Sequence, residues 1–297
     1  MATLRELKGR IGSVASSEKI TGAMKMISSA KMHKAEGALR RLVPFRSQIE
    51  TIIANLLSSD ATFSSPLVTE RNEVKHMAVI VWGSDDGLCG AYNGNIVKKL
   101  VEHIEGLRAT LGGDVAISVM PIGRKMTNAV SKLSLPGVKA IAAPEGIDSK
   151  TDGAPVVAFM QGLEKQFADG TFDRVDVLYM KYITAGRQRA TAQQLLPVLP
   201  QSFAPAGKTV ETGRPYLFEP GPNAIFNSVL PMFLMATMQD IFSENVASEQ
   251  AARVMAMQSA NDNAKSLLEQ LQLEYNKLRQ QSITNELLDI VGGQSHD

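Results

Sequence analysis

VMAMQSANDNAKSLLEQLQLEYNKL, residues 254–278, decides the fold. Val254, Met257, Asn261, Ala264, Leu268, Leu271, Tyr275 and Leu278 recur at alternating spacings of three and four. That alternation is the seam of a coiled coil, in which each seam residue meets a second helix. Asn261 and Ala264 are small or polar, so they let the two helices approach closely at some loss of stability. The helical pattern extends both ways and predicts one helix over residues 223–291.

The second helix is found at the other end of the chain. Residues 2–58 are rich in Ala, Lys, Met, Glu and Arg, which are good helix formers. Leu4, Leu7, Ile11 and Val14 form an apolar stripe. After a polar break the stripe is expected to resume at Ile20, Met24 and Ile27. Pro44 predicts a kink or bend. Gly22 and Gly37 mark either a close approach of another backbone or exposed positions that tolerate glycine. At 1.5 Å per residue the two helices would be roughly 80 and roughly 100 Å long. A compact domain of the intervening length is only about 30–40 Å across. Each stripe is too long to hide against such a domain, so the two helices are expected to pair antiparallel. Charge agrees with that pairing. Lys8, Arg10, Lys19, Lys25, Lys31, Lys34, Arg40 and Arg41 make the first segment basic. Asp240, Glu244, Glu249, Asp262, Glu269, Glu274, Glu286 and Asp289 make the last one acidic.

Between the helices the period changes. Strands are expected at 76–82 (HMAVIVW), 115–122, 138–142 and 174–183, with another at 191–199. Helices are expected at 93–111, 125–133 and 156–167. Strands alternating with helices predict a Rossmann-like α/β domain with a mostly parallel sheet. The chain is thus divided into an N-terminal coiled-coil helix (1–58), a linker (59–75), a central α/β domain (76–200), a Pro- and Gly-rich linker (201–222) and a C-terminal coiled-coil helix (223–297).

Composition excludes several functions. Net charge is +1, so no bulk field points to nucleic acid or acidic lipid. Aromatic residues are 5% of the chain and methionines number 14, which suits elongated, adaptable packing better than one thick core. The most apolar stretch, 229–238, contains Pro231 and is too short to span a bilayer. The first twelve residues lack the apolar run of a signal peptide. Cys89 is the single cysteine, with no nearby group to activate it. His33, His76, His103 and His296 show no ligand spacing, so no metal or cofactor is expected. The turn GSDDGLCG, residues 83–90, lies where a phosphate binds in nucleotide-binding folds. It lacks both glycine fingerprints, and Asp85 and Asp86 would repel a phosphate. It reads as a tight structural turn.

Four motifs resemble the gamma subunit of F-type ATP synthases. They are KITGAMKMISSAKMHKA (19–35), GLCGAYN (87–93), ASEQAARVMAMQSANDNA (247–264) and YNKLRQQSITNELLDIVGG (275–293). Two departures stand out. Asp86 precedes GLCG where the family usually has Lys or Arg, and Gln294 follows Gly293 where it usually has Ala. The resemblance implies a non-catalytic rotor, one copy per complex. It would couple proton flow through the membrane c-ring to ATP synthesis or hydrolysis in the ring of alpha and beta subunits, with epsilon at its foot. Family positions that contact beta fall on Met24, Lys25, Lys31, Lys34, Arg253, Arg279, Gln280, Thr284 and Glu286. Ile283, Leu287, Leu288, Ile290 and Val291 suit an apolar bearing at the tip. The resemblance further implies a place on the cytoplasmic side of a bacterial inner membrane, with membrane contact only through the c-ring. Two other readings stay open at this point: a Rossmann-like nucleotide-binding enzyme with coiled-coil oligomerisation arms, and a passive coiled-coil adaptor.

Overall fold

The computed structural model describes residues 3–57, 62–71, 73–112, 114–133, 135–143, 146–148, 153–203 and 218–293. Much of the expected 201–222 linker lies outside them, as do His296 and Gln294. Two long helices begin and end the fold, α1 (Leu4–Leu57) and α5 (Pro222–Gly293). Between them run β1 (His76–Trp82), α2 (Tyr92–Leu111), β2 (Ala116–Ile122), α3 (Arg124–Val130), β3 (Val138–Ala140), α4 (Gly153–Ala168), β4 (Arg174–Thr184) and β5 (Arg187–Leu196). Short 3-10 turns lie at Pro66–Val68 and Pro200–Phe203. The chain divides inside both long helices into two compact units. One is Met1–Ser29 with Arg253–Asp297, the other Ala30–Ala252.

In the α/β unit the strand order is β3-β2-β1-β4-β5. β1 through β4 are parallel to their neighbours, and β5 returns antiparallel to β4. The β4–β5 connection is Ala185-Gly186, a two-residue hairpin link. β5 therefore starts before the expected residue 191: hairpin pairing recruits the polar Arg187-Gln188-Arg189, which carries no apolar strand signal. β1 reads as a continuous apolar run because both its faces are covered. Met77, Val79 and Val81 pack under α2 and α3 with Ile96, Leu100, Ile104 and Met126. Ala78, Ile80 and Trp82 pack on the other face with Ile53 and Leu56 of α1, Phe159 and Leu163 of α4, and Phe233, Leu234 and Phe242 of α5. The second half of α1 and the first part of α5 run antiparallel here. Arg46 Nη1 donates to Asp240 Oδ2 at 2.6 Å, and the Ser64 N–H, just past α1, donates to Asn223 Oδ1 at 3.0 Å. Residues 30–57 and 222–252 thus belong to this unit, although the sequence division places most of them in the coiled coil.

The α1 helix continues through Pro44, which lies on an exposed face between exposed Val43 and Phe45. There water can satisfy the carbonyl that proline leaves unpaired. One window of α5 is long and apolar enough to cross a membrane by length and composition, but more than half of it is buried within the protein. Its Phe226, Leu230, Phe233, Leu234 and Met238 belong to the sheet's core, which accounts for their apolarity.

In the coiled-coil unit, the seam of α5 follows the expected spacing. Met257, Asn261 and Leu271 are buried; Val254, Ala264, Leu268, Tyr275 and Leu278 are half-buried. The seam of α1 differs from expectation after Val14. Leu4, Leu7, Ile11 and Val14 are followed by Glu18, Thr21, Lys25 and Ser28, all at least half-buried. Ile20 and Ile27 are instead 59% and 56% exposed. Holding a coiled-coil phase from Val14 requires steps of four and three, and those steps land on polar residues. The partner helix meets them with a polar group. Asn261 Nδ2 donates to Glu18 O at 2.7 Å and to Thr21 Oγ1 at 3.3 Å. At Gly22 a Cβ would stand 3.4 Å from Asn261 Nδ2, so glycine leaves this side chain room. The coil has a polar waist, and the apolar residues of α1 at that level face outward.

Candidate functional site

Ile20, Met24 and Ile27 follow one another at four and three residues, so they share one face of α1. Met24 is half-buried and its two neighbours are open, which makes a short apolar strip. Lys25 lies on the seam, half-buried. Lys31 and Lys34 are exposed. Near the end of α5, Arg279, Gln280, Thr284 and Glu286 are all exposed. Ile283, Leu287, Leu288 and Ile290 are 49–64% exposed, and the Val291 side chain lies outside the described residues. Helical spacing places Arg279, Ile283, Glu286 and Ile290 on one face, with Gln280, Thr284 and Leu287 beside them. Polar and apolar residues therefore interleave on the same surface. Arg253 differs from the other expected contact residues. It is buried, at 6% exposure. Sequence reasoning took Ile20 and Ile27 for seam residues; stepping the coiled-coil phase from Val14 would have placed them outside.

The second candidate site is the topological switch point, where open α/β sheets bind their ligands. β2 and β3 lie on one side of β1, while β4 and β5 lie on the other. The crevice is thus at the carboxyl ends of β1 and β4. The turn after β1 is tightly closed. The Ser84 N–H donates to Asn93 Oδ1 at 3.1 Å, Asn93 Nδ2 donates to Ser84 Oγ at 2.7 Å, and Ser84 Oγ donates to Asp86 O at 2.9 Å. Asp85 Oδ1 accepts the N–H of Arg124 at 2.9 Å. Arg124 Nη2 also lies 3.5 Å from Asp86, so the unexpected acid in this turn faces a cation of its own chain. Cys89 is buried at 3% exposure. A Cβ on Gly83 would meet that of Met126 at 2.4 Å, so only glycine fits there.

The crevice itself is filled by α5. Asn245 is fully buried and touches three elements. Its Nδ2 donates to Gly83 O at 3.2 Å, and its Oδ1 accepts the N–H of Met180 at 3.4 Å and the hydroxyl of Tyr92 at 2.6 Å. Ser248, less than one turn on, donates from Oγ to Met180 O at 2.8 Å. No sequence signal marks Asn245, since an asparagine inside a helix looks like any polar residue until the strands around it are placed.

Buried charge surrounds these contacts. Arg46 bridges Asp240 and Glu50, at 2.6 and 2.8 Å. Glu244, one turn after Asp240, has a buried Oε2 without a hydrogen-bond partner. Burial, and then the Asp240 carboxylate, push its carboxyl up to about 7. Burial alone does the same to Glu164 on α4, also to about 7. Burial, with Glu244 and Asp240 nearby, raises the Tyr179 hydroxyl. Tyr182 donates a short hydrogen bond to Glu36, which holds that carboxyl below its ordinary range. At the amino ends of β1, β2 and β4 a groove of about 810 Å³ is lined by residues including Arg71, Lys75, Asp173 and Arg174. Burial works against the Asp173 carboxylate, but the N–H groups of His76 and Lys75 and the Arg71 guanidinium outweigh it and lower its pKa. Among the described residues no three His, Cys, Asp or Glu side chains are placed to hold a metal.

The sequence profile of the ATP synthase family matches residues 3–295. The ATP synthase gamma chain of Phocaeicola vulgatus is 38% identical over 295 residues, covering 99% of each chain. That of Nitrosomonas eutropha is 32% identical over 296 residues, again covering 99% of each. In fold, the chain is similar to one in the rotor of the Euglena gracilis mitochondrial ATP synthase, with a TM-score of 0.60 at 20% identity, covering 94% of this chain and 98% of that one. A chain in the central stalk and c-ring of the Tetrahymena thermophila mitochondrial enzyme gives a TM-score of 0.53 at 20% identity, covering 81% and 99%.

Proposed function

We propose, from the premise that this chain belongs to the ATP synthase gamma-chain family, that its outward coiled-coil surface is the face through which it turns against the catalytic ring. The chain is a rotor subunit of the F-type ATP synthase central stalk, part of a membrane-associated complex. It supplies no catalytic group; ATP is made or split by alpha and beta subunits around it. Epsilon and the c-ring engage its α/β unit, one copy of the chain serves each complex, and the complex lies on the cytoplasmic side of a bacterial inner membrane.

The observation that carries this reading is the pairing of the two chain ends with apolar side chains left outside. Ile20 and Ile27 on α1, and Ile283, Leu287, Leu288 and Ile290 on α5, are too exposed to serve the chain's own stability. An apolar sleeve can slide over such residues because few directional bonds must break. Met24 supplies an apolar contact to beta, and Lys25, Lys31, Lys34, Arg279, Gln280, Thr284 and Glu286 supply weaker polar ones. Each is worth about 0–1 kcal/mol at a solvated surface, which suits a contact that must re-form every turn. Arg253, being buried, supports the helix from within. The filled switch point speaks against a nucleotide-binding enzyme, since Asn245 and Ser248 stand where a nucleotide would lie.

Co-expression with alpha and beta subunits tests this function. A large complex with ATPase activity should form only when this chain is present; a complex equally active without it would refute the reading. Within that complex, Met24→Lys should leave folding intact and lower the protons pumped per ATP hydrolysed. Unchanged coupling would remove Met24 from the contact surface.

A further inference from the structure

We infer that Asn245 is a positioning residue that joins α5 to the sheet as a substitute peptide group and carries rotational load between them. The inference rests on the rotor reading above. β1 and β4 pair up to Val81 and Leu178. Beyond that pair the two strands part: the Gly83 N–H continues the β1–β2 ladder, donating to Ile122 O at 2.9 Å, and the Ser84 N–H turns to Asn93 Oδ1. The Met180 N–H and C=O, which further ladder bonds to Trp82 and Ser84 would have used, are met by α5. The side-chain amide of Asn245 provides one donor and one acceptor and meets Gly83 O and the Met180 N–H. It bridges the two strands where their own ladder ends. Tyr92, at the start of α2, fixes the amide by donating to its Oδ1, and Ser248 holds the Met180 carbonyl.

Load follows stiffness. Apart from Glu244 beside Tyr179, α5 meets the sheet around Asn245 mostly through apolar side chains such as Phe233, Leu234 and Phe242. Such contacts are non-directional and resist sliding weakly. The hydrogen bonds at Asn245 are directional and sealed from water, so breaking them leaves buried groups unpaired. A twist applied to the sheet therefore reaches α5 through this joint first. Aspartate cannot replace asparagine here, because its carboxylate has no proton for Gly83 O.

The test uses the assembled complex. Protons pumped per ATP hydrolysed is a ratio, so it is insensitive to how much complex has formed. Asn245→Ala should lower it by about threefold or more, the effect expected when a hydrogen-bonded joint is lost. Tyr92→Phe, which removes one hydroxyl, should lower it less. In the isolated chain, amide exchange at Met180 should rise about tenfold in Asn245→Ala. A lower thermal midpoint with a wild-type ratio would overturn the inference and leave Asn245 as structural only. If Asn245→Ala fails to assemble, Tyr92→Phe decides: an unaltered ratio overturns the inference. If the wild-type chain itself supports no pumping, the rotor reading fails, and unchanged exchange at Met180 would separately refute the joint.

Discussion

Helix α5 is used in two ways along its length. From 222 to 252 it packs into the core, and Phe226, Leu230, Phe233, Leu234, Ala236, Met238 and Ile241 are each at most 3% exposed. From 254 to 290 burial shrinks to a narrow seam, and most side chains between seam positions are open. The first part has a sheet and other helices around it; the second has one helix to pack against. The contrast shows that one continuous helix can be an internal structural member and a working surface, and that the number of neighbours decides which.

The largest expected effect lies in the first part. Leu234→Ala should destabilise the chain by about 3–4 kcal/mol, because a cavity surrounded by aromatic side chains cannot collapse. Leu271→Ala, at a seam position of similar burial, should cost only about 1–2 kcal/mol, since its open neighbours can relax inward. Urea unfolding of both variants measures the difference; equal losses would erase the contrast.

A pH effect should follow in size. The Glu244 carboxyl has its ordinary value of 4.5 raised to about 7, so the folded chain holds a proton that the unfolded chain releases. That contribution is fully present below pH 4.5 and is lost as pH rises through 7. After discounting for partial exposure, the loss should be about 1–2 kcal/mol. Glu244→Gln should flatten this slope in thermal melts between those limits, and a slope identical to wild type would show that Glu244 is ionised throughout.

The smallest expected effect on stability is at the polar waist. Asn261→Leu should stabilise the coil by about 1 kcal/mol, as polar seam residues are kept at a cost in stability. A clear loss would mean that the hydrogen bonds to Glu18 and Thr21 hold the coil together.

The two regions were also unequally readable in the sequence. Residues 76–82 could only be a buried strand, and the spacing from Val254 to Leu278 gave the α5 seam position by position. The α1 seam leaves the apolar spacing through Ile20 and Ile27, because phase, not apolarity, continues the coil across Glu18, Thr21, Lys25 and Ser28. β5 starts earlier than its apolar residues suggest, because Arg187 and Gln188 are strand residues only by virtue of the hairpin. Asn245 was invisible for a deeper reason. Its role is set by where β1 and β4 part company, a relation between residues 83, 180 and 245 that no local pattern contains.

The account depends most on the outward face of α1 being reserved for partners. Cysteines placed singly at Ile27 and Thr21, labelled with a maleimide in the free chain and in the complex with alpha and beta, test this directly. The Ile27 cysteine should react fast in the free chain and be protected in the complex, and the Thr21 cysteine should be slow in both. An Ile27 cysteine that is protected in the free chain, or equally reactive in the complex, would contradict it.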